Sequence, residues 1–80
     1  MIRARVTVTL KNGVLDPQGK AISGSLAALG FAGVDSVRQG KVFDIELNAV
    51  DKQSAEADLT AMCDKLLANT VIEDYAVEIA

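Results

Sequence analysis

From Ile2 to Leu10 the chain alternates: Ile2, Ala4, Val6, Val8 and Leu10 are apolar, while Arg3, Arg5, Thr7 and Thr9 are polar. A period of two with β-branched enrichment predicts a strand with one dry and one wet face. Lys11-Asn12-Gly13 ends it, because Asn-Gly tolerates the positive φ of a turn. Asp16-Pro17 then opens a helix: Asp16 caps the free N–H groups of the first turn, and Pro17 fits the first helical position. Ile22, Leu26 and Leu29, with Ala21 and Ala28, form its apolar stripe, and Gly30 stops it. Gly19 and Gly24 disfavour a helix interior, which points to close approach by another backbone or to a loose first turn.

Phe31-Ala32-Gly33 connects to a second strand region, Val34 to Ala49, where Phe43, Ile45, Leu47 and Ala49 alternate with Asp44, Glu46 and Asn48. Gln39-Gly40 interrupts it, either as a hairpin turn between two short strands or as a bend in one long strand. Asp51 caps a second helix whose Ala55, Leu59, Met62, Cys63 and Leu66 recur at core-facing steps. Its Lys52, Glu56, Asp58 and Asp64 face water. Asn69 terminates it, Val71-Ile72 packs on its end, and Tyr75, Val77 and Ile79 alternate with Ala76 and Glu78 in a last strand. The order β-α-β(β)-α-β predicts an α+β, split β-α-β fold, ferredoxin-like or a close variant, with an antiparallel sheet carrying two helices on one face. All 80 residues fit one domain.

If both helices cover one face, the other carries Arg3, Arg5, Thr7, Thr9, Asp44, Glu46, Asn48 and Glu78. Arginines set against carboxylates make a favourable cross-strand arrangement. The simpler reading is a solvated, charge-matched surface; the functional one is a docking face for a second sheet or a partner.

Composition changes the picture in one respect. Half the residues are apolar, and mean hydropathy is +0.26. A chain this small has a thin core, so that much apolar surface predicts burial against other subunits. Eight basic and eleven acidic side chains give a net charge of −3. With Phe31, Phe43 and Tyr75 as the only aromatics, the chain lacks both the basic surplus and the stacking platform of a nucleic-acid binder. No apolar run is long enough to span a bilayer, and no signal peptide is read at the N-terminus, so no membrane is expected and a cytoplasmic, reducing setting is. Cys63, the lone cysteine, has no internal disulfide partner and sits on a core stripe.

Chemistry is sparse. Without His, the chain lacks the commonest general base and the commonest zinc ligand. Gly19-Lys20 and Gly24 match neither the P-loop nor the dinucleotide spacing. The stretch from Lys11 to Lys20 offers a helix start and two lysines, which suits an anion, but a capped helix packing on a neighbour explains it as well. Catalysis by this chain alone is not expected.

Several blocks together resemble the PurS family: Arg5-Val6-Thr7-Val8-Thr9-Leu10-Lys11; Gly13-Val14-Leu15-Asp16-Pro17-Gln18-Gly19-Lys20-Ala21-Ile22; Leu29-Gly30-Phe31; Val37-Arg38-Gln39-Gly40-Lys41; Met62-Cys63-Asp64-Lys65-Leu66-Leu67-Ala68-Asn69; and Val71-Ile72-Glu73-Asp74-Tyr75. Thr70 departs from the family's usual proline after Asn69. The resemblance implies a non-catalytic accessory subunit of phosphoribosylformylglycinamidine synthase, an ATP- and glutamine-dependent C–N ligase of purine biosynthesis. That complex converts formylglycinamide ribonucleotide, glutamine, ATP and water into formylglycinamidine ribonucleotide, glutamate, ADP and phosphate. It implies partners too: a homodimer or higher oligomer, bridging the PurL synthetase and the PurQ glutaminase and assisting ammonia transfer. No cofactor is implied in this chain, ATP and Mg being used by the synthetase. Within the matched blocks, Lys11, Asp16, Gln18, Lys20, Arg38, Gln39 and Lys41 sit on predicted loops and helix starts and are the expected partner contacts. The rival from another class is a small-metabolite-sensing regulatory domain of the same fold.

Overall fold

A computed structural model describes residues 1–80. The elements are β1 (Ile2–Leu10), α1 (Pro17–Ala28), β2 (Gly40–Leu47), α2 (Lys52–Met62), a π-helical turn (Cys63–Leu67) and β3 (Glu73–Ile79). The sheet is antiparallel with order β2-β1-β3, so the most regularly alternating segment is its centre. Val6 stands opposite Phe43 and Val77, and Ala4 opposite Ile45 and Ile79. Ala4, Val6 and Val8 are buried, as the alternation predicts, beneath Leu59 and Cys63 of the α2 side and Ala68 beyond it. Phe43, Ile45, Leu47, Tyr75, Val77 and Ile79 pack around them.

The caps follow local rules. Gly19 N–H donates to Asp16 Oδ1 at 2.9 Å and Ser54 N–H to Asp51 Oδ1 at 2.7 Å, each satisfying a helix-start donor. Helix α1 ends in a Schellman arrangement: Gly30, at φ 101°, donates to Ala27 O, and Phe31 N–H to Leu26 O.

The fold class is the one expected, but only α2 lies on the sheet. Helix α1 gives no residue to the core, and its sole buried residue is Gly19. Its intended core stripe is open, with Ile22 40% and Leu29 74% exposed. The helix and the returning segment to Gln39 form an arm. The Cα radius of gyration is accordingly 16.0 Å, against about 12 Å for a compact chain of this length.

Three further expectations are corrected. Residues 34–39 are neither a hairpin nor part of a long strand; β2 starts only at Gly40. The last of them, Gln39, donates its N–H across the arm to Asp16 Oδ2 at 3.0 Å instead. Leu66 faces water at 83% exposure. The π-turn, closed by Ala68 N–H to Cys63 O at 3.0 Å, widens the helical step and brings Leu67 to the core in its place. Val71 is also exposed rather than packed on the helix end, because residues 69–73 make a tight turn on Asn69, whose Oδ1 accepts the Val71 N–H.

Candidate functional site

The end of the sheet next to the arm gathers most of the polar residues marked out in the sequence. Where β1 leaves the sheet, Lys11 Nζ lies 3.8 Å from Asp74 Oδ1. Where β2 enters, Lys41 Nζ lies 3.7 Å from Glu73 Oε2. Between them opens a shallow cleft of about 220 Å³ lined by Asp16, Gln18, Gln39, Lys41 and Glu73, with Val8–Leu10 as its floor. Gly40 is required here, since a Cβ would collide with Val8 O. Arg38 lies beside the cleft and donates to Asn12 Oδ1 at 3.2 Å and to Leu10 O.

Of the seven expected contact residues, the structure thus brings Asp16, Gln18, Gln39 and Lys41 into one cleft and sets Lys11 and Arg38 at its margins. Lys20 is not in the cleft; it is exposed on the first turns of α1. The side chains of Asp16 and Arg38 are occupied with holding chain segments together, and Lys11 and Lys41 are ion-paired, which leaves Gln18, Lys20 and Gln39 as the freer side chains. Asp16 holds its proton more weakly than an ordinary aspartate, because it accepts N–H bonds from Gln39 and Gly19. Glu73 was missed. It sits on the inward parity of β3, yet it pairs with Lys41 and accepts the Asn69 N–H at 2.7 Å. Its place in the Val71–Tyr75 block was the available signal.

The uncovered sheet face is a second surface. Arg5 Nε lies 2.9 Å from Asp44 Oδ1, and Arg3 Nε 3.4 Å from Glu46 Oε1, the cross-strand pairs that the alternation predicts. They flank a broad depression of about 760 Å³. These groups are exposed, so the pairs contribute little to stability.

Neither surface holds a nucleophile beside a base. The Cys63 thiol is buried, and burial, aided by nearby Asp64, pushes its pKa up, away from the reactive thiolate. The Tyr75 hydroxyl donates to Asp64 Oδ1 at 2.9 Å, and that bond holds its proton in place. What the arrangement offers is shape, polar hydrogen-bonding groups and exposed apolar surface.

The family model described as PurS, phosphoribosylformylglycinamidine (FGAM) synthase, matches residues 3–80. The chain belongs to the PurS family. It is 51% identical to the phosphoribosylformylglycinamidine synthase subunit PurS of Synechocystis over 94% of this chain and 75% of that protein. The Mycobacterium leprae PurS subunit is 47% identical over 96% and 94%. Among solved structures, PurS of Methanocaldococcus jannaschii, one of the subunits of formylglycinamide ribonucleotide amidotransferase in the purine biosynthetic pathway, superposes with a TM-score of 0.91 at 39% identity, covering 100% of this chain and 96% of that one. A chain of the PurLQS structure from Thermotoga maritima gives 0.92 at 29% identity, covering 99% and 96%. The family's fold is therefore the one seen here, over nearly the whole chain.

Proposed function

We propose that this chain is the non-catalytic accessory subunit of a phosphoribosylformylglycinamidine synthase, joining a PurL-type synthetase to a PurQ-type glutaminase and assisting ammonia transfer between them. The observation that carries the reading is the likeness, in fold and over nearly the full sequence, to PurS chains that include one from a PurLQS structure. The physics agrees. Much apolar surface lies open on the arm and at its base, where Leu29, Phe31 and Leu15 are 74%, 58% and 71% exposed.

The contribution of such a subunit is placement. Ammonia released into water is diluted and protonated, so holding the releasing and consuming sites together raises its effective concentration. In this reading ATP and Mg act in the synthetase, the complex is cytoplasmic, and this chain works as a homodimer or higher oligomer. Lys11, Asp16, Gln18, Lys20, Arg38, Gln39 and Lys41 form or support its partner surface.

Reconstitution tests the reading. Glutamine-dependent synthesis by the two large subunits should collapse when this chain is omitted, while synthesis from high ammonium should be less affected. Undiminished glutamine-dependent synthesis without the chain would reject it. Lys20→Glu is the cleanest probe of the surface, because Lys20 is exposed and its side chain holds no structural contact; capture of the large subunits should weaken by tenfold or more. Unchanged capture would remove Lys20 from the interface.

A further inference from the structure

One carboxylate serves both legs of the arm. Asp16 stands at the entrance to α1; its Oδ1 accepts the Gly19 N–H at 2.9 Å, in the first turn of the outgoing leg. Its Oδ2 accepts the Gln39 N–H at 3.0 Å, on the last residue of the returning leg before β2 begins. The legs also touch directly: a Cβ on Gly19 would collide with Val37 O and crowd Asp16 Oδ2. Arg38 closes the same junction from the β1 side through Asn12 Oδ1 and Leu10 O. Beyond this junction the arm has no hold on the rest of the molecule, for α1 contributes nothing to the core and residues 31–36 are exposed.

We propose that Asp16 is a positioning residue, a latch that joins the two legs of the arm and so fixes the direction in which α1 leaves the sheet. Two N–H donors converge on the group, and a carboxylate answers both, having two acceptor oxygens and no donor. Asparagine has one acceptor oxygen and an NH2, so it satisfies one N–H and confronts the other with a donor. Asparagine caps helices about as well as aspartate does. Asp16→Asn therefore separates capping α1 from latching the arm. The latch is a property of this chain by itself and does not depend on what the arm binds.

The test reads the arm's direction without any partner, a second copy included, so every sample carries Leu29→Asp with Phe31→Asp, which keeps another chain from holding the arm's exposed apolar side. Cysteines are placed on the arm and on α2 (Ala28→Cys and Asp58→Cys), spin-labelled, and diluted into unlabelled protein so that pulsed EPR reports distances within one chain. Cys63 is fully buried and stays unlabelled. The parent should give one narrow distance. Asp16→Asn should broaden it at least twofold with unchanged far-UV circular dichroism, and Gly19→Ala should do the same with the carboxylate intact, by prying Val37 away. The parent's width in Asp16→Asn, or a parent already as broad as the variant, overturns the latch. If Asp16→Asn loses its helical signal, Gly19→Ala decides alone: the parent's width there overturns it. None of these results bears on whether the chain serves a synthase, which the reconstitution above answers separately.

Discussion

Leu59 has no exposed surface, and it stands where α2 meets the dry face of β1. Truncating it would leave a cavity in the only core this molecule has, so Leu59→Ala should cost about 2–5 kcal/mol in urea unfolding. A loss under about 1 kcal/mol would mean that α2 is not the lid of the sheet. The helix caps carry a pH dependence of known sign. Asp51 accepts the Ser54 N–H, and that bond holds its carboxyl below the ordinary aspartate range. The folded state thus binds the proton more weakly than the unfolded one. The contribution is complete above the unfolded value, near pH 4, and disappears as pH falls through the lower folded value. Acid titration of thermal stability should therefore be steeper below about pH 4 in the parent than in Asp51→Ala. Both caps were legible in the sequence because a cap is a bond to an N–H three residues away. The second bond of Asp16 was not, since its partner lies 23 residues on and no local rule joins Asp16 to Gln39.

At the scale of elements, periodicity read the sheet well and α2 only to its end. Alternation placed Ala4, Val6 and Val8 inward and the arginine–carboxylate pairs outward, because a strand's two faces are set by parity alone. The 3.6-residue period likewise found Ala55, Leu59 and Cys63. It then pointed Leu66 inward, since nothing in the apolar pattern encodes a step of five residues. The turn from Cys63 to Ala68 takes that step and exchanges Leu66 for Leu67. A paired substitution distinguishes the two registers. Leu66→Ser should leave the urea midpoint nearly unchanged, within about 0.5 kcal/mol, as exposed sites do. Leu67→Ser should cost at least about 1 kcal/mol, because it removes apolar packing against the core. The reverse order would restore the regular helix.

The whole molecule extends over 50 × 25 × 14 Å, a shape that a single thin core does not enforce. The arm explains it, and the composition gave its cause without its form. An excess of apolar residues was plain in the sequence, but the pattern assigned Ile22, Leu26 and Leu29 to a sheet face. Amphipathic spacing says that a helix has an apolar side, not which surface covers it. Within one chain that side is uncovered, and both outer strands of the sheet, β2 and β3, are open edges as well. A chain of 8.4 kDa that leaves such surface to water should self-associate at micromolar concentration, giving a light-scattering mass of at least twice that value. The arm is the element whose disruption should reverse this. Leu29→Asp combined with Phe31→Asp places charges where two large apolar side chains now stand exposed. Neither residue belongs to the core, so the sheet and α2 should keep their circular dichroism and the mass should fall toward the monomer. A parent that scatters as a monomer at high concentration, or a double variant that keeps the full oligomer, would show that the arm's apolar side does not join the copies.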